Sequence, residues 1–304
     1  MNIFSKKPKI TGVISYIYEF ARKSKRTAIY KRQYRNIARH LSNFEKNRGI
    51  ELTSENLNDA LMEDFIDYLK SLNRALSTVS SIIDKTKYML RRMQRDGYLI
   101  NTSVFDISVP KEHPETVYIT SEEIELIYKM KAQGTGQQAA KDLFVVGCLT
   151  GMRFSDYSQL TSKNIVGNTI QRKTLKTGEV VIVPMHRIVR EIIDKNNGFP
   201  RYENSLQNFN TMIKRICKRA GLVDSVLSER TRGHKIERKK LKRYEMIGSH
   251  TARRSFATNA YLSGIMAAKI MLITGHQTEQ AFFKYIRIDK KENARELAEH
   301  PFFK

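Results

Sequence analysis

The chain has 304 residues, 40% of them hydrophobic, and 54 lysines and arginines against 31 acidic residues give a formal net charge of +23. That length suits two domains, each burying its own core, and the apolar fraction excludes disorder as the reason for the charge. The charge calls for a polyanionic partner, nucleic acid ahead of an anionic membrane surface: no run approaches the ~20 apolar residues of a spanning helix, and residues 1–10 hold no signal-peptide core. Cys148 and Cys217, without paired spacing, give neither a disulfide framework nor a zinc site, which fits a reducing cytoplasm.

Residues 11–100 read as four helices. Apolar side chains recur at helical spacing in Leu61, Phe65, Ile66 and Leu69, and again in Val79, Ile82, Ile83, Tyr88 and Met89. Thr53 or Ser54 is suited to cap the first of these two helices and Ser77 or Thr78 the second, with Gly97 as a stop. Two basic sets lie here. Lys23, Lys25, Arg26, Lys31, Arg32, Arg35 and Arg39 run to His40 without an acidic residue, with Tyr30 and Tyr34 interleaved, and Lys85, Lys87, Arg91, Arg92 and Arg95 follow on the fourth helix. Residues 101–117, with Pro110 and Pro114 and no sustained period, read as a linker.

A second domain opens at Thr120-Ser121-Glu122-Glu123, a capping-box pattern in which hydroxyl and glutamate reciprocally satisfy helix-start amides. Residues 143–149 read as a buried helix. Alternation on either side of Thr177-Gly178-Glu179 predicts a β-hairpin within residues 165–184, with Val180, Val181, Ile182 and Val183 in its second strand. Helices resume at 187–195, at 205–220 and from His250 onward. A third basic set (Arg230, Arg232, Lys235, Arg238, Lys239, Lys240, Lys242, Arg243) is broken only by Glu229 and Glu237. Any one such set is as readily a solvated face as a phosphate-binding one. Three, spread over both domains, favour a protein that surrounds nucleic acid, although phosphate contacts carry no sequence information. The fold expected is mainly α, with one small hairpin or sheet.

Within the second domain lie, in order, Thr150-Gly151-Met152-Arg153-Phe154-Ser155-Asp156, Lys176-Thr177-Gly178, His250-Thr251-Ala252-Arg253, Gly275-His276, and Tyr285 in Phe282-Phe283-Lys284-Tyr285-Ile286-Arg287. Each has a bland alternative. Asp156 could cap a helix start, Lys176 could sit in an ordinary surface turn with Lys173 as a competitor, His250 and Arg253 could be plain surface, His276 a helix cap and Tyr285 a core aromatic. Together they supply what transfer of a DNA phosphodiester needs. A phenol with an unperturbed pKa near ~10 needs help to attack at neutral pH, and arginine is suited to the non-bridging oxygens because it is planar, permanently charged and bidentate. Nothing in such chemistry requires a metal, ATP or another cofactor.

Order, residue types and spacing resemble the tyrosine site-specific recombinases, the phage integrase family. The resemblance implies an N-terminal SAM-like helical core-binding domain (11–100) and a C-terminal α+β catalytic domain (118–299) that together clamp duplex DNA, without a separate arm-binding domain. It makes Arg153 and Arg253 phosphate clamps, Lys176 the general acid for the 5′ hydroxyl, His250 a general base or phosphate donor, His276 a phosphate donor, Asp156 a supporting acid and Tyr285 the nucleophile. DNA contacts are expected from Lys23, Lys25, Arg26, Lys31, Arg32, Arg35, Arg91, Arg92, Arg95, Lys239 and Lys240. It further implies a 3′-phosphotyrosyl intermediate, a tetramer on double-stranded DNA with specific recombination sites, possible accessory DNA-bending proteins, and a bacterial cytoplasm as its setting. In the tail, 289–304, Lys290–Glu299 can form one helix and Pro301-Phe302-Phe303 ends the chain with aromatics; in the family such a tail docks on a neighbouring subunit. One position departs from the pattern: Arg254 stands where histidine usually follows the second arginine. The rival functions are a type IB topoisomerase, which shares the chemistry, and a non-enzymatic basic DNA-binding protein, which leaves the ordered motif set without a reason. A metal-dependent transposase or nuclease would need clustered carboxylates, and the acidic residues near the motifs are isolated.

Overall fold

The computed structural model describes residues 12–112, 115–286, Ala294, Ala298 and 301–303. It divides into two compact units, Met1–Pro114 with Ser228–Lys239, and Glu115–Leu227 with Lys240–Lys304.

The first unit is built on α1 (Val13–Lys23), α2 (Ala28–Arg48), α3 (Asp59–Ser71) and α4 (Leu76–Arg95). Ile17, Leu41, Phe44, Phe65, Leu69, Ile83 and Met89 are among its buried core residues. Thr27 caps α2 by accepting the Tyr30 amide, and Gly49 ends the helix at φ +64°, a left-handed conformation that costs glycine little. The cap of α3 is not Thr53 or Ser54 but Asn58, which accepts the Leu61 amide at 2.9 Å. Thr53 and Asn56 instead exchange two side chain–backbone bonds and close a turn before it. Several cap-competent residues stand in that run, and the last before the apolar period takes the role. Nor do Ser77 or Thr78 cap α4. The helix starts at Leu76, after an extended Ala75 that pairs with Arg232.

The predicted linker begins inside this unit. Thr102–Phe105 form a 3-10 helix with Val104 fully buried, and Ile107 and Val109 pack on the same core. Lys87 holds the segment, donating from its buried ammonium to the carbonyls of Phe105 (2.8 Å) and Ile107 (2.5 Å). The third basic set, for which the sequence suggested no element, forms β4 (Ser225–Arg232) and β5 (Lys235–Lys242), a two-stranded sheet joined at Gly233-His234. Within the first unit Gly233 donates to the Arg74 carbonyl at 2.9 Å and the Thr231 amide donates to Glu112 at 2.8 Å.

The second unit contains α5 (Ser121–Lys129), α6 (Thr135–Thr150), α7 (Phe154–Tyr157), α8 (Arg187–Lys195), α9 (Leu206–Arg219), α10 (Ser249–Leu262), α11 (Ala267–Thr274) and α12 (Glu279–Tyr285). Both halves of the capping box at Thr120 and Glu123 are present. Helix α6 is buried over nearly its whole length, as its uncharged run implies. It crosses α10 closely because Gly147 has no side chain: a Cβ there would stand 2.7 Å from the Tyr157 ring and 3.2 Å from Ala252. The predicted hairpin is part of a three-stranded antiparallel sheet, β1 (Ile165–Val166), β2 (Thr169–Lys173) and β3 (Val180–Pro184), in the order β1-β2-β3. Ile170 pairs with Val183 and Lys173 with Val180, so Ile170, Val181 and Val183 are buried while Val180 and Ile182 face out. The tail reading (Lys290–Glu299 as one helix, and the docking of 289–304) lies outside the described residues, apart from Ala294, Ala298 and a 3-10 turn at Pro301–Phe303 that exposes both phenylalanines.

Candidate active site

Four helix ends bring the motifs together. Helix α6 terminates at Gly151, φ +66°, where a Cβ would lie 2.3 Å from the Phe256 ring. The chain then delivers Arg153 to the start of α7. Helix α10 has no capping side chain of its own at Gly248; Asn210 of α9 supplies one, accepting the Ser249 amide at 2.8 Å and fixing the turn that carries His250. Helix α11 ends at Gly275, φ +62°, which turns the chain beside the Arg153 guanidinium: a Cβ there would stand 3.9 Å from Nη2. Thr278 caps α12 through the Ala281 amide, and Tyr285 is the last residue of that helix.

Arg253 is almost fully buried and donates from Nη1 to the Gly151 carbonyl at 2.8 Å. Burial and the neighbouring Arg153 push its guanidinium down to about 10, against the opposing pull of Tyr285 and Asp156. Two like charges held this close favour an anion between them. The Tyr285 hydroxyl donates to the His250 carbonyl at 3.3 Å, and its ring meets the His250 ring edge to face (centroids 5.4 Å apart) and the His276 ring at 4.8 Å. Burial raises the phenol's pKa, and Arg253, Arg254 and Arg153 pull it back.

Both histidines are pushed down to about 4, first by burial. His250 is exposed at the surface while its ring packs on Tyr285, and Arg254, Arg253, Arg153 and Lys176 add to its shift. For His276 the charges are Arg253 and Arg153, with His250 beyond them. His276 Nδ1 lies 2.8 Å from Thr274 Oγ1, whose own proton goes to the Ile270 carbonyl. The threonine oxygen therefore accepts, which puts the imidazole proton on Nδ1.

Asp156 does not cap a helix. Fully buried, it accepts the Leu175 amide at 2.9 Å and so holds the turn that carries Lys176. Lys176 is exposed in that turn and close enough to His250 to depress it electrostatically. Lys173 lies at the outer end of β2, opposite Val180. Arg254 sits over the Tyr285 ring at 5.2 Å and donates to the Val117 carbonyl at 3.3 Å. Among the described residues no group of three or more His, Cys, Asp or Glu is arranged to hold a metal ion. Cys148 and Cys217 are buried core residues, with both thiols raised by burial.

The predicted DNA-binding residues divide. Arg32 and Arg35 are exposed on α2, Lys31 is half-buried there, and Lys25 and Arg26 are exposed in the turn before it. Tyr34 is a core residue, packed against Phe20, Tyr30 and Tyr88. Lys23 pairs with Glu19 at 2.5 Å and Lys239 with Glu237 at 3.2 Å, while Lys240 is exposed on β5. Arg91 stacks over Phe105 and Arg92 over Phe20, at 4.8 and 4.7 Å, and Arg95 Nε donates to the Arg91 carbonyl. Lys87 serves the fold, as described above. Sequence reading missed Asn210, whose signal was a helix start at Gly248 lacking its own cap, and Thr274, two residues before His276.

Residues 117–292 match the phage integrase family and residues 12–107 the phage integrase SAM-like domain. No curated protein matches the chain. Among solved structures, a lambda integrase fragment, a dimer bound to a COC′ core site, aligns with a TM-score of 0.68 at 15% identity, covering 93% of this chain and 98% of that one. The Tn1549 transposon integrase in complex with circular intermediate DNA aligns at 0.66 and 16%, covering 95% and 100%. A lambda integrase tetramer bound to a Holliday junction gives 0.60 and 15%, covering 88% and 76%. The fold is thus one shared with these integrases, and with its catalytic segment and its helical domain both matched, the chain belongs to the phage integrase family of tyrosine recombinases.

Proposed function

We propose that the protein carries out site-specific DNA recombination, cutting and rejoining duplex DNA through Tyr285. The observation that carries this is the convergence of Arg153, His250, Arg253, His276 and Tyr285 on the ends of α6, α10, α11 and α12, next to the turn bearing Lys176. Tyr285 Oη attacks the phosphorus and gives up its proton to His250 as general base. The bond to the 5′ oxygen breaks, that oxygen takes a proton from Lys176, and a 3′-phosphotyrosyl link remains. Arg153 and Arg253, with His276, hold the non-bridging oxygens; removing one such donor from a preorganised site typically costs roughly 3–4 kcal/mol of transition-state stabilisation. Lys176 is favoured over Lys173 as the acid because its charge reaches His250. Asp156 acts through the Leu175 turn.

The partner is double-stranded DNA carrying a specific recombination site, engaged by basic residues of both units: Lys25, Arg26, Lys31, Arg32 and Arg35 in one, Lys240 in the other, with Lys23, Arg91, Arg92, Arg95 and Lys239 beside them. The solved integrases are bound to core-site DNA, to circular intermediate DNA and, as a tetramer, to a Holliday junction; the same assembly is proposed here, with residues 289–304 docking on a neighbouring subunit and a bacterial cytoplasm as the setting. Accessory DNA-bending proteins would act on the DNA. No helix among the described residues is long and apolar enough to cross a membrane.

The test is covalent trapping. The protein is incubated, in the presence of chelator, with nicked suicide duplexes made from host-element DNA, and a detergent-stable adduct is sought with wild type and Tyr285→Phe. A 3′-linked adduct lost in the variant supports the scheme. An adduct that survives the substitution places the nucleophile elsewhere.

A further inference from the structure

Arg254 occupies the place where the family pattern has histidine, and its surroundings in this chain give it a task of its own. Its guanidinium carbon lies 5.2 Å from the centroid of the Tyr285 ring, within the range of a cation–π contact. The same guanidinium donates from Nη1 to the Val117 carbonyl at 3.3 Å, which anchors it to the backbone. That anchor is itself held: Ser255 and Asn259, on the same helix, bond the amide and carbonyl of Ile119 at 2.9 and 3.0 Å. The Arg254 guanidinium is thus tied to held backbone and lies over an aromatic ring. Arginine suits this double use where lysine and histidine would not, having a flat delocalised cation with several donors.

Resting on the reading of Tyr285 as nucleophile, we propose that Arg254 is a positioning residue for that tyrosine, covering its ring to fix the phenol and supplying the cation that favours its ionised form. Histidine at this place could accept or donate one hydrogen bond but would bring no permanent charge. The groups that face Tyr285 are Arg153 ahead of α7, His250, Arg253 and Arg254 on α10, and His276 after α11. Of the three arginines, Arg153 and Arg253 are the proposed phosphate clamps, and bound phosphate would draw their charge away from the phenol. Arg254 is assigned no phosphate, so its effect on the tyrosine persists once DNA is bound. The direction of its influence agrees: it pulls the Tyr285 phenol down against burial.

The experiment reads that phenol directly, without DNA. 3,5-Difluorotyrosine, which ionises nearer neutrality than tyrosine, is placed at position 285 of the full chain, and its single fluorine signal is followed against pH in the Arg254 protein and in Arg254→Gln, Arg254→Lys and Arg254→Met. Loss of the cation in the glutamine variant should raise the midpoint by about one pH unit, a roughly tenfold smaller phenolate fraction at a given pH below it. The lysine variant should fall between. The methionine variant keeps the apolar stem and stands in should the glutamine variant fail to fold. A midpoint unchanged or lowered in the folded glutamine or methionine protein overturns the proposal. A purely structural role for Arg254 would lower the melting temperature of the variants and leave the midpoint in place, which likewise overturns it. Failure of the nucleophile reading would show separately, as a covalent DNA adduct that does not depend on Tyr285, and would leave this midpoint unaffected.

Discussion

Asp156 reaches across nineteen positions of sequence to accept the Leu175 amide at 2.9 Å, and the residue after Leu175 is the lysine proposed to protonate the leaving group. The carboxylate follows Arg153 by three residues, so one short segment sets both the first clamp and the turn that carries the acid. We predict that Asp156→Ala lowers stability by about 1–3 kcal/mol, the usual cost of removing one partner of a buried hydrogen bond. It should slow cleavage more than it weakens DNA binding. Asp156→Asn keeps an oxygen to accept the amide and should retain most of the rate. Equal loss of rate in both variants, in single-turnover assays, would count against a role exerted through the turn.

Gly151 combines a left-handed backbone with a ring where its side chain would be. Gly151→Ala is therefore predicted to destabilise the protein by roughly 2–4 kcal/mol, a large effect for one methyl, because the strain of positive φ adds to overpacking. Its carbonyl also accepts from Arg253, so cleavage should fall with stability. Phe256→Leu in the same chain should recover only the packing part, which chemical unfolding of the single and double variants would resolve.

The two histidines make the protein acid-sensitive. With both held near 4 in the folded state against 6.5 unperturbed, the unfolded chain binds more protons below pH 6.5. Stability is then fully present above about 6.5 and falls as the pH drops toward 4. His40 and His186, also lowered by burial, add to the same slope. Urea unfolding of wild type and of a His250→Gln, His276→Gln protein across this range should show a shallower slope in the variant; equal slopes would sink the assignment.

His276 carries a second expectation. With its Nδ1 proton directed at Thr274, neutral His276 has only an acceptor at Nε2, and donating to a phosphate oxygen requires a second proton. DNA binding near pH 6 should therefore take up about one proton at this residue. Calorimetry in two buffers of different ionisation enthalpy measures it, and the uptake should shrink in His276→Gln.

Lysines and arginines that look alike in sequence should separate in salt titrations. Lys87→Met should cost stability, by leaving two carbonyls unpaired, and leave the salt dependence of DNA binding as it was. Arg35→Ala should leave stability within about 0.5 kcal/mol and reduce the slope of log affinity against log salt by about 1. A Lys87 variant with an altered slope would instead give that residue a phosphate contact.

Local signals were legible wherever one short stretch decides the outcome. Thr120 and Glu123 formed their reciprocal cap, Gly97 followed the end of α4 at φ +87°, and the strand from Val180 paired in the expected hairpin. Legibility failed where the deciding partner is distant. The start of α4 depends on Arg232, the cap of α10 on Asn210, and the fate of Lys87 on carbonyls eighteen and twenty residues later. The β4–β5 pair escaped notice because each of its strands is polar or charged at six of eight positions, which hides the alternation that marks a half-buried strand. At the site, the motif residues could be named from order and spacing. The surroundings of Arg254, and the charge of Lys176 felt at His250, needed the folded structure.

The hairpin tip, Ser228–Lys239, belongs to the same compact unit as residues more than a hundred positions earlier. The helical module is therefore not one uninterrupted stretch of gene. An exchange between relatives that broke the coding sequence after residue 112 would deliver four helices lacking the strand residue that pairs with Ala75 and the donors that meet Arg74 and Glu112. A chimera of this kind should inherit its helical module from the same parent as residues 228–239. In this chain the two form one compact unit, although the Arg153 and Lys176 motifs and most of a second domain separate them in the sequence.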